Sequence, residues 1–324
     1  MEATTLPIFR DQLLDRRQQL ETVAATLGRP DEVTRLLHEV DAALGRMNAG
    51  TFGVCATCHE AIEPDRLLTD PLTQFCLDHL TPVEQRALQQ DLDLASRIQR
   101  ELLPGPDVRL DGWEVAYHYQ PAGPVSGDYC DLIPSNADQG YFLIGDVAGK
   151  GVAAAMLMSH LSALLRTLIT IGLPLSQLME RASRVFCEST LPTHYATLVC
   201  GRASSSGEIE ICNAGHPPPL LVHAGEIIRF DATGLPIGMF CSEQFSSRIV
   251  RLARGDTLLL YTDGLLEAQN AAGVEYGIER LAALAAAANR QPKVIVDTCL
   301  RDLAGFRGAP GADDDLTILA ISRV

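Results

Sequence analysis

Cysteine and histidine residues between positions 55 and 79 limit how this part of the chain can fold. They form two pairs with two residues inside each pair, Cys55 with Cys58 and Cys76 with His79. Such pairs sit in tight turns and together supply four ligands to a tetrahedral zinc ion. A stretch of roughly 30 residues buries too little apolar surface to fold alone, so metal binding would supply its folding free energy. The spacing therefore predicts one structural Zn²⁺ over residues 51–80.

His59 and the remaining six cysteines of the chain are not expected to bind this zinc ion. His59 could compete as the fourth ligand, but it follows Cys58 directly and would be poorly aimed. In cytosolic proteins, cysteines more often bind metals or pack in the interior than form disulfides. We therefore expect the six cysteines without ligand spacing to be buried side chains, namely Cys130, Cys187, Cys200, Cys212, Cys241 and Cys299.

Helical patterns lie on both sides of this stretch. Apolar residues three and four apart predict helices over 6–27 and 31–47, so residues 1–50 should form a helical hairpin. Residues 81–104 predict a linker helix whose apolar positions keep an approximate heptad seam. This seam favours contact between two linker helices in a homodimer, with packing on the following domain as the alternative. It consists of Leu88, Leu92, Ala95 and Leu102.

From residue 105 to residue 324 the pattern changes to short strands with grouped helices. Hairpin-linked strands of this kind indicate an α+β layered domain rather than alternating βαβ units. Helical patterns cover about 151–171, 174–189, 277–288 and 291–305. The predicted strands are 113–119, 128–133, 141–146, 195–203, 208–214, 218–223, 226–230, 257–263 and 316–324.

Four aspartates stand at the ends of these strands, in turns that mostly contain glycine: Asp128, Asp146, Asp263 and Asp314. Each alone is an ordinary turn former. Together they could aim several carboxylates into one cleft, where like charges repel unless divalent cations sit between them. Oxygen ligands suit Mg²⁺ or Mn²⁺, and two such ions can lower the pKa of a shared water for attack on phosphorus. The pattern predicts metal-assisted hydrolysis of a phosphate ester.

The order of motifs over residues 95–324 resembles the metal-dependent protein phosphatase family (PPM, protein phosphatase 2C-like), within it the bacterial branch of stage II sporulation protein E and RsbU. The resemblance implies a four-layer αββα sandwich of antiparallel sheets and a serine/threonine phosphatase that uses two Mn²⁺ or Mg²⁺ ions. The motifs that carry it include PAGPVSGDYCD (121–131), GDVAGKGVAAAMLM (145–158), NAGHPPPLL (213–221), GDTLLLYTDGLLEAQN (255–270) and DDDLTIL (313–319).

Matching these motifs assigns the expected site residues. The four aspartates Asp128, Asp146, Asp263 and Asp314 align with the family's metal-binding catalytic positions, and Val147 would offer its backbone carbonyl. Asp313 and Asp315 flank the last position, so that assignment holds to about one residue. Two departures stand out: Ser126 replaces a glycine, and Ala148 replaces the histidine that eukaryotic members carry as a proposed general acid.

Three further residues near these motifs keep two interpretations each. His216 either stabilises a turn or takes part in catalysis, and we favour the turn. Lys150 either faces solvent or touches phosphate, and we favour solvent. Asp131 is either an outer metal contact or a structural residue.

Residues 40–80 resemble the DksA/TraR zinc finger, with a G-T-F-G-x-C-x-x-C knuckle and a C-x-x-H closure. Members of that family bind RNA polymerase through an acidic hairpin tip, which residues 27–31 lack. The resemblance still leaves an alternative function: a zinc-finger protein acting on RNA polymerase or another partner, with a non-catalytic phosphatase scaffold.

The phosphatase resemblance implies a phosphorylated STAS-domain anti-anti-sigma factor as substrate. The formal net charge of −15 disfavours nucleic acid and anionic membrane as partners. Residues 153–175 are apolar, but their polar residues recur at helical spacing, so they predict a core helix rather than a membrane span. The first residues do not resemble a secretory signal, and we expect a cytoplasmic location.

Overall fold

The computed structural model describes residues 6–27, 31–80, 82–105, 108–135, 139–191, 193–288, 291–307 and 314–324. The predicted turn at 28–30, Thr81 and Asp313 lie outside them. The chain divides into two compact units, Met1–Asp91 and Leu92–Val324. The division falls inside a helix, so the domain limits predicted from the sequence stay a proposal.

The first unit is built from helices around a small core that includes two of the four zinc-ligand candidates. It contains α1 (Leu6–Leu27), α2 (Asp31–Asn48), α3 (Pro64–Thr69) and a 3₁₀ turn (Leu77–His79). The two predicted helices are thereby confirmed. Phe9 on α1 packs 5.6 Å, centroid to centroid, from Phe52. Cys55 and Cys76 are buried in the same cluster, so metal ligation and apolar packing fix one structure together.

The predicted linker helix is α4 (Pro82–Glu101), which spans the division between the units. Most of its side chains are exposed, including Leu88 at 45% and Ile98 at 56%. Leu102, just beyond its end, packs against the helical core of the second unit. Gln99 is buried and exchanges hydrogen bonds with the backbone of Ser126.

The second unit contains two five-stranded antiparallel sheets. Sheet one has the order β1-β10-β9-β6-β7, and sheet two has the order β2-β3-β4-β5-β8. The strands are β1 (Trp113–Gln120), β2 (Asp128–Pro134), β3 (Gln139–Val147), β4 (Ala196–Ser204), β5 (Glu208–Ala214), β6 (Leu220–His223), β7 (Glu226–Arg229), β8 (Arg248–Arg251), β9 (Thr257–Tyr261) and β10 (Leu316–Arg323). The sequence did not predict β8, because this short edge strand is mostly exposed and carries no apolar alternation.

Three apolar cores separate four layers. One lies between the two sheets, where Phe142 and Ile144 of sheet two share a cluster with Leu260 and Leu319 of sheet one. The other two cores lie on the outer faces of the sheets, under helices. The predicted αββα sandwich is therefore confirmed. The helices are α5 (Gly151–Ile171) and α6 (Leu175–Ser189) on sheet two, then α7 (Asp263–Leu266), α8 (Ile278–Ala287) and α9 (Pro292–Arg307) on the side of sheet one.

Helix α5 matches the apolar stretch that the sequence assigned to the interior. Among the described helices it alone is long and apolar enough to cross a membrane. Its side chains Met158, Leu161 and Leu165 are fully buried in the core over sheet two. These contacts identify it as a packed core helix.

Two cysteines do not behave as expected. Cys187 and Cys241 form a disulfide with a Cα–Cα distance of 5.4 Å, and Cys241 is exposed. The interpretation of this pair as buried core was wrong. Cys187 lies near the end of α6, and Cys241 lies in the loop after β7. This loop packs beside α6, where the Gly238 amide donates a hydrogen bond to the Ser183 hydroxyl. Since 54 residues separate the partners, spacing could not reveal the pairing. The other four cysteines are buried as expected.

Candidate active site and zinc site

Sheet two contributes two of the predicted aspartates, on neighbouring strands. Asp128 begins β2 and lies opposite Asp146 near the end of β3. A Cβ atom on Gly127 would stand 3.0 Å from the Val147 carbonyl oxygen and 3.1 Å from Asp146 Oδ1. A side chain at this position would therefore have to push these neighbours by a few tenths of an ångström, and glycine avoids this crowding. Ser126 fits beside it, because its hydroxyl accepts a hydrogen bond from the Asp128 amide at 3.0 Å.

Sheet one contributes the other two aspartates through turns that touch each other. Asp263 begins α7, two residues after the last residue of β9, and Asp314 lies two residues before the first residue of β10. A Cβ atom on Gly264 would lie 2.0 Å from the Asp315 carbonyl oxygen and 3.3 Å from Asp314 Cβ. No larger residue fits at 264 without moving one turn away from the other.

Hydrogen bonds to two carboxylates, the buried Asp128 and the half-buried Asp315, join the sheets at this end. Thr262 and Thr317, from sheet one, donate to the same oxygen of Asp128 at 2.9 and 2.5 Å. In return, Asp315 accepts hydrogen bonds from the amides of Ala122 at 2.7 Å and Gly127 at 2.9 Å. These bonds hold the two pairs of turns in register. They also give Asp315 a structural task, while Asp314 lines the adjacent cavity.

The cluster is strongly acidic. Burial, followed by the charges of Asp263, Asp314 and Asp315, raises the pKa of Asp146 to about 8. Burial and the charge of Asp146 raise the pKa of Asp128 well above its ordinary value, and burial with Asp314 raises that of Asp263. Carboxyls in this state ionise readily only when cations join them.

The donors fit hard divalent cations. They are all oxygens, the ligand type that Mg²⁺ and Mn²⁺ prefer. The Lys150 ammonium lies 3.1 Å from Asp314 Oδ2, so positive charge is already attracted to the cluster. The aspartates are nevertheless spaced more widely than the zinc ligands described below. Among the described residues, no three carboxylates each place one oxygen within 4.8 Å of the others.

A cavity of about 300 Å³ opens beside the cluster. Its lining combines carboxylates with two cationic side chains from separate elements, Lys150 before α5 and Arg307 at the end of α9. The remaining lining residues are Gly264, Glu267, Ala268, Gln269 and Asp314.

The zinc-ligand candidates converge in the first unit. The ligand atoms of Cys55, Cys58, Cys76 and His79 all lie within 4.8 Å of one another, the only such acidic, cysteine or histidine group in the described part of the chain. The Cys76 Sγ atom lies 3.2 Å from His79 Nδ1 and 3.7 Å from Cys58 Sγ. Burial raises the pKa of Cys55, but amide hydrogen bonds, first from Cys58, outweigh it and lower that pKa to about 6. Three sulfurs and one imidazole nitrogen suit Zn²⁺, and His59 is not part of the group.

The structure also places the residues that kept two interpretations. His216 is buried, shares a 2.8 Å hydrogen bond with Thr197 and accepts a bond from the Asn213 amide at its carbonyl, which suits a structural role. Asp131 is buried, and both of its oxygens accept hydrogen bonds from Arg166 at 2.7 and 2.8 Å. It therefore pins α5 to β2.

Sequence reasoning missed several residues at this site. Thr262 directly precedes Asp263, and Thr317 lies in the DDDLTIL motif, so their places beside the aspartates were a usable signal. Arg307 had no such signal, because only the packing of α9 brings it to the cavity.

Comparison with known proteins places the chain. The family model for stage II sporulation protein E (SpoIIE) matches residues 136–324, and the model for the prokaryotic DksA/TraR C4-type zinc finger matches residues 50–78. The phosphoserine phosphatase RsbP of Bacillus subtilis is 30% identical over 55% of this chain and 46% of its own length. Protein IcfG of Synechocystis is 27% identical over 72% of this chain and 41% of its own length.

A solved structure, that of the RsbU and RsbW domains of Rv1364c from Mycobacterium tuberculosis, is 32% identical with a TM-score of 0.57 and covers 66% of this chain and 60% of that one. The matched part of this chain spans less than half the length of RsbP and of Protein IcfG. The SpoIIE model nevertheless matches more than half of this chain, including three of the four predicted aspartates. The chain belongs to the SpoIIE family.

Proposed function

We propose that this protein is a metal-dependent serine/threonine phosphatase, with residues 105–324 as its catalytic domain. The observation that carries the proposal is the convergence of four carboxylates from two sheets beside one cavity. The similarity to the phosphoserine phosphatase RsbP supports the reaction class.

The chain's own residues have separate tasks in this proposal. Asp146, Asp263 and Asp314 hold two Mn²⁺ or Mg²⁺ ions, helped by the Val147 carbonyl. Asp128 completes the set while Thr262 and Thr317 fix its carboxylate. When bound, such ions act as Lewis acids that generate a nucleophile from water and neutralise phosphoryl charge. Ala148 has no acidic proton, so no side chain at that position protonates the leaving group.

Release of phosphate from a phosphoserine peptide in MnCl₂ tests this proposal. We expect turnover that stops on chelation and returns with Mn²⁺. Asp146→Asn and Asp263→Asn should abolish it, whereas Asp297→Asn, an exposed position on α9, should keep wild-type turnover. Activity that survives chelation or both site substitutions would refute the proposal.

For the substrate, we propose a phosphorylated STAS-domain regulatory protein in the cytoplasm. The likeness to RsbP and to a chain with an RsbU domain supports this choice. The test compares kcat/KM for a folded STAS domain that carries phosphoserine with kcat/KM for a short peptide that contains the same phosphoserine. A kcat/KM that is no higher for the folded domain would argue against a STAS-domain substrate.

We further propose that Cys55, Cys58, Cys76 and His79 bind one structural Zn²⁺, and that α4 pairs with its copy in a homodimer. Exposed apolar residues on α4 support pairing, among them Leu88 and Ile98. Metal analysis of the purified protein should give one zinc per chain. Sedimentation should give a dimer that Leu88→Glu dissociates, and a wild-type monomer would remove the dimer from the proposal.

A further inference from the structure

We infer that Arg307 binds the phosphate of the substrate, and that the cavity beside the aspartates is the phosphomonoester subsite. The inference rests on the proposed function and adds a residue that neither the motifs nor the family resemblance assigned. It starts from the position of this side chain in the fold.

Arg307 is the last residue of α9 and lies outside every motif that carries the family resemblance. Its Nη2 atom donates to the Gly264 carbonyl oxygen at 3.3 Å, so the guanidinium rests on the turn that begins with Asp263. The same side chain lines the 300 Å³ cavity together with Asp314. A ligand in the cavity would therefore contact Arg307 on one side and the aspartate turns on the other.

The charge of Arg307 has no counterpart within the described residues. No carboxylate among them forms an ion pair with it, although the side chain is half-buried. Lys150, the other cation of the cavity, is paired with Asp314. A half-buried arginine at a reaction site needs an anion to offset its lost hydration.

A phosphate monoester is better suited than other anions to pair with the Arg307 guanidinium. A guanidinium can give two parallel hydrogen bonds to phosphate oxygens, while one further N–H stays on the Gly264 carbonyl. The cavity is small, so it takes a phosphoserine side chain rather than a folded surface. The body of the substrate protein would remain outside.

The test uses the full-length protein with Mn²⁺ and compares Arg307→Ala, Arg307→Lys and Arg301→Ala. Arg301 lies on the same helix but hydrogen-bonds only within α9, so it is the matched control. The readouts are KM and kcat for a phosphoserine peptide, the inhibition constant of inorganic phosphate, and the Mn²⁺ concentration for half activation.

Arg307→Ala should raise both the KM and the phosphate inhibition constant by about 10- to 100-fold, the usual loss for a charged hydrogen bond. Arg307→Lys should recover part of the loss, since it keeps the charge without the planar fork. The Mn²⁺ midpoint should not change, because no metal ligand is altered.

Equal phosphate inhibition in Arg307→Ala and wild type would overturn the inference, as would a loss in kcat alone with a shifted Mn²⁺ midpoint. If Arg307→Ala melts below the assay temperature, Arg307→Lys decides by the same criteria. A wild type without turnover would refute the phosphatase proposal instead. In that case calorimetric titration of the Mn²⁺-loaded protein with inorganic phosphate would still judge Arg307.

Discussion

Replacing Asp146 by asparagine should make the metal-free protein more stable while it destroys the proposed activity. The asparagine would keep the size of the side chain but could not ionise. The wild-type carboxyl is half-buried beside other acids, and partial burial followed by their charges raises its pKa to about 8. Removing this carboxyl therefore removes an electrostatic destabilisation of the folded state that is present only when no cation is bound.

The size of this destabilisation follows from the pKa. An aspartate in an unfolded chain titrates near pH 3.9, about three pH units below pH 7, and each unit corresponds to about 1.4 kcal/mol. The upper limit at pH 7 is therefore about 4 kcal/mol. Neighbouring carboxyls share the repulsion and the site relaxes, so we expect roughly 2 kcal/mol. In a unit of this size that raises the melting temperature by roughly 4–8 °C.

The sign of the pH dependence gives a second readout. Because the folded pKa lies above the unfolded one, the folded state binds the proton more tightly, and wild-type stability falls as pH rises from about 4 to about 8. The Asp146→Asn protein should lose this part of the slope. Added Mn²⁺ should raise the wild-type melting temperature but not that of the variant.

Differential scanning calorimetry in EDTA and in MnCl₂, at pH 5 and pH 8, measures all of these effects. Asp297→Asn removes an exposed carboxyl from the same unit and should melt like wild type in every buffer. If Asp146→Asn were less stable than wild type in EDTA at pH 8, or gained as much from Mn²⁺, the reasoning would be wrong.

Three further substitutions test separate parts of the structure. Thr317→Val removes a hydroxyl donor from buried Asp128 and should cost about 1–3 kcal/mol in urea unfolding; a cost equal to that of Thr317→Ser would contradict this. Gly264→Ala places a Cβ 2.0 Å from the Asp315 carbonyl oxygen and should lower kcat at least tenfold, and wild-type kcat would refute the close contact. Cys76→Ser should abolish zinc retention and the cooperative melting of the first unit but leave the Mn²⁺-stabilised transition of the second; a retained zinc ion would contradict it.

Local patterns were enough to predict most elements of the fold. The helices over 6–27 and 31–47 follow from apolar spacing, and nine strands follow from alternation between turns. Edge strand β8 was not predicted, because its pairing with β5 and not its own composition holds it in the sheet. The spacing of the Cys55–Cys58 and Cys76–His79 pairs also predicted correctly that these four side chains converge in the first unit.

Contacts between distant residues could not be predicted in the same way. The hydroxyls that fix Asp128 come from residues 134 and 189 positions away. The Cys187–Cys241 disulfide and the contact of Arg307 with Gly264 depend likewise on how helices dock on sheets. The four aspartates could be chosen because each stands in a recognisable turn, and their role as metal ligands stays a prediction.

Anomalous diffraction at the manganese edge, from a crystal grown with MnCl₂, tests cation binding by these aspartates most directly. We predict anomalous peaks between the carboxylates of Asp146, Asp263 and Asp314, which disappear in Asp146→Asn crystals. Fully occupied manganese elsewhere in the protein, with no peak among these three side chains, would contradict the proposed active site.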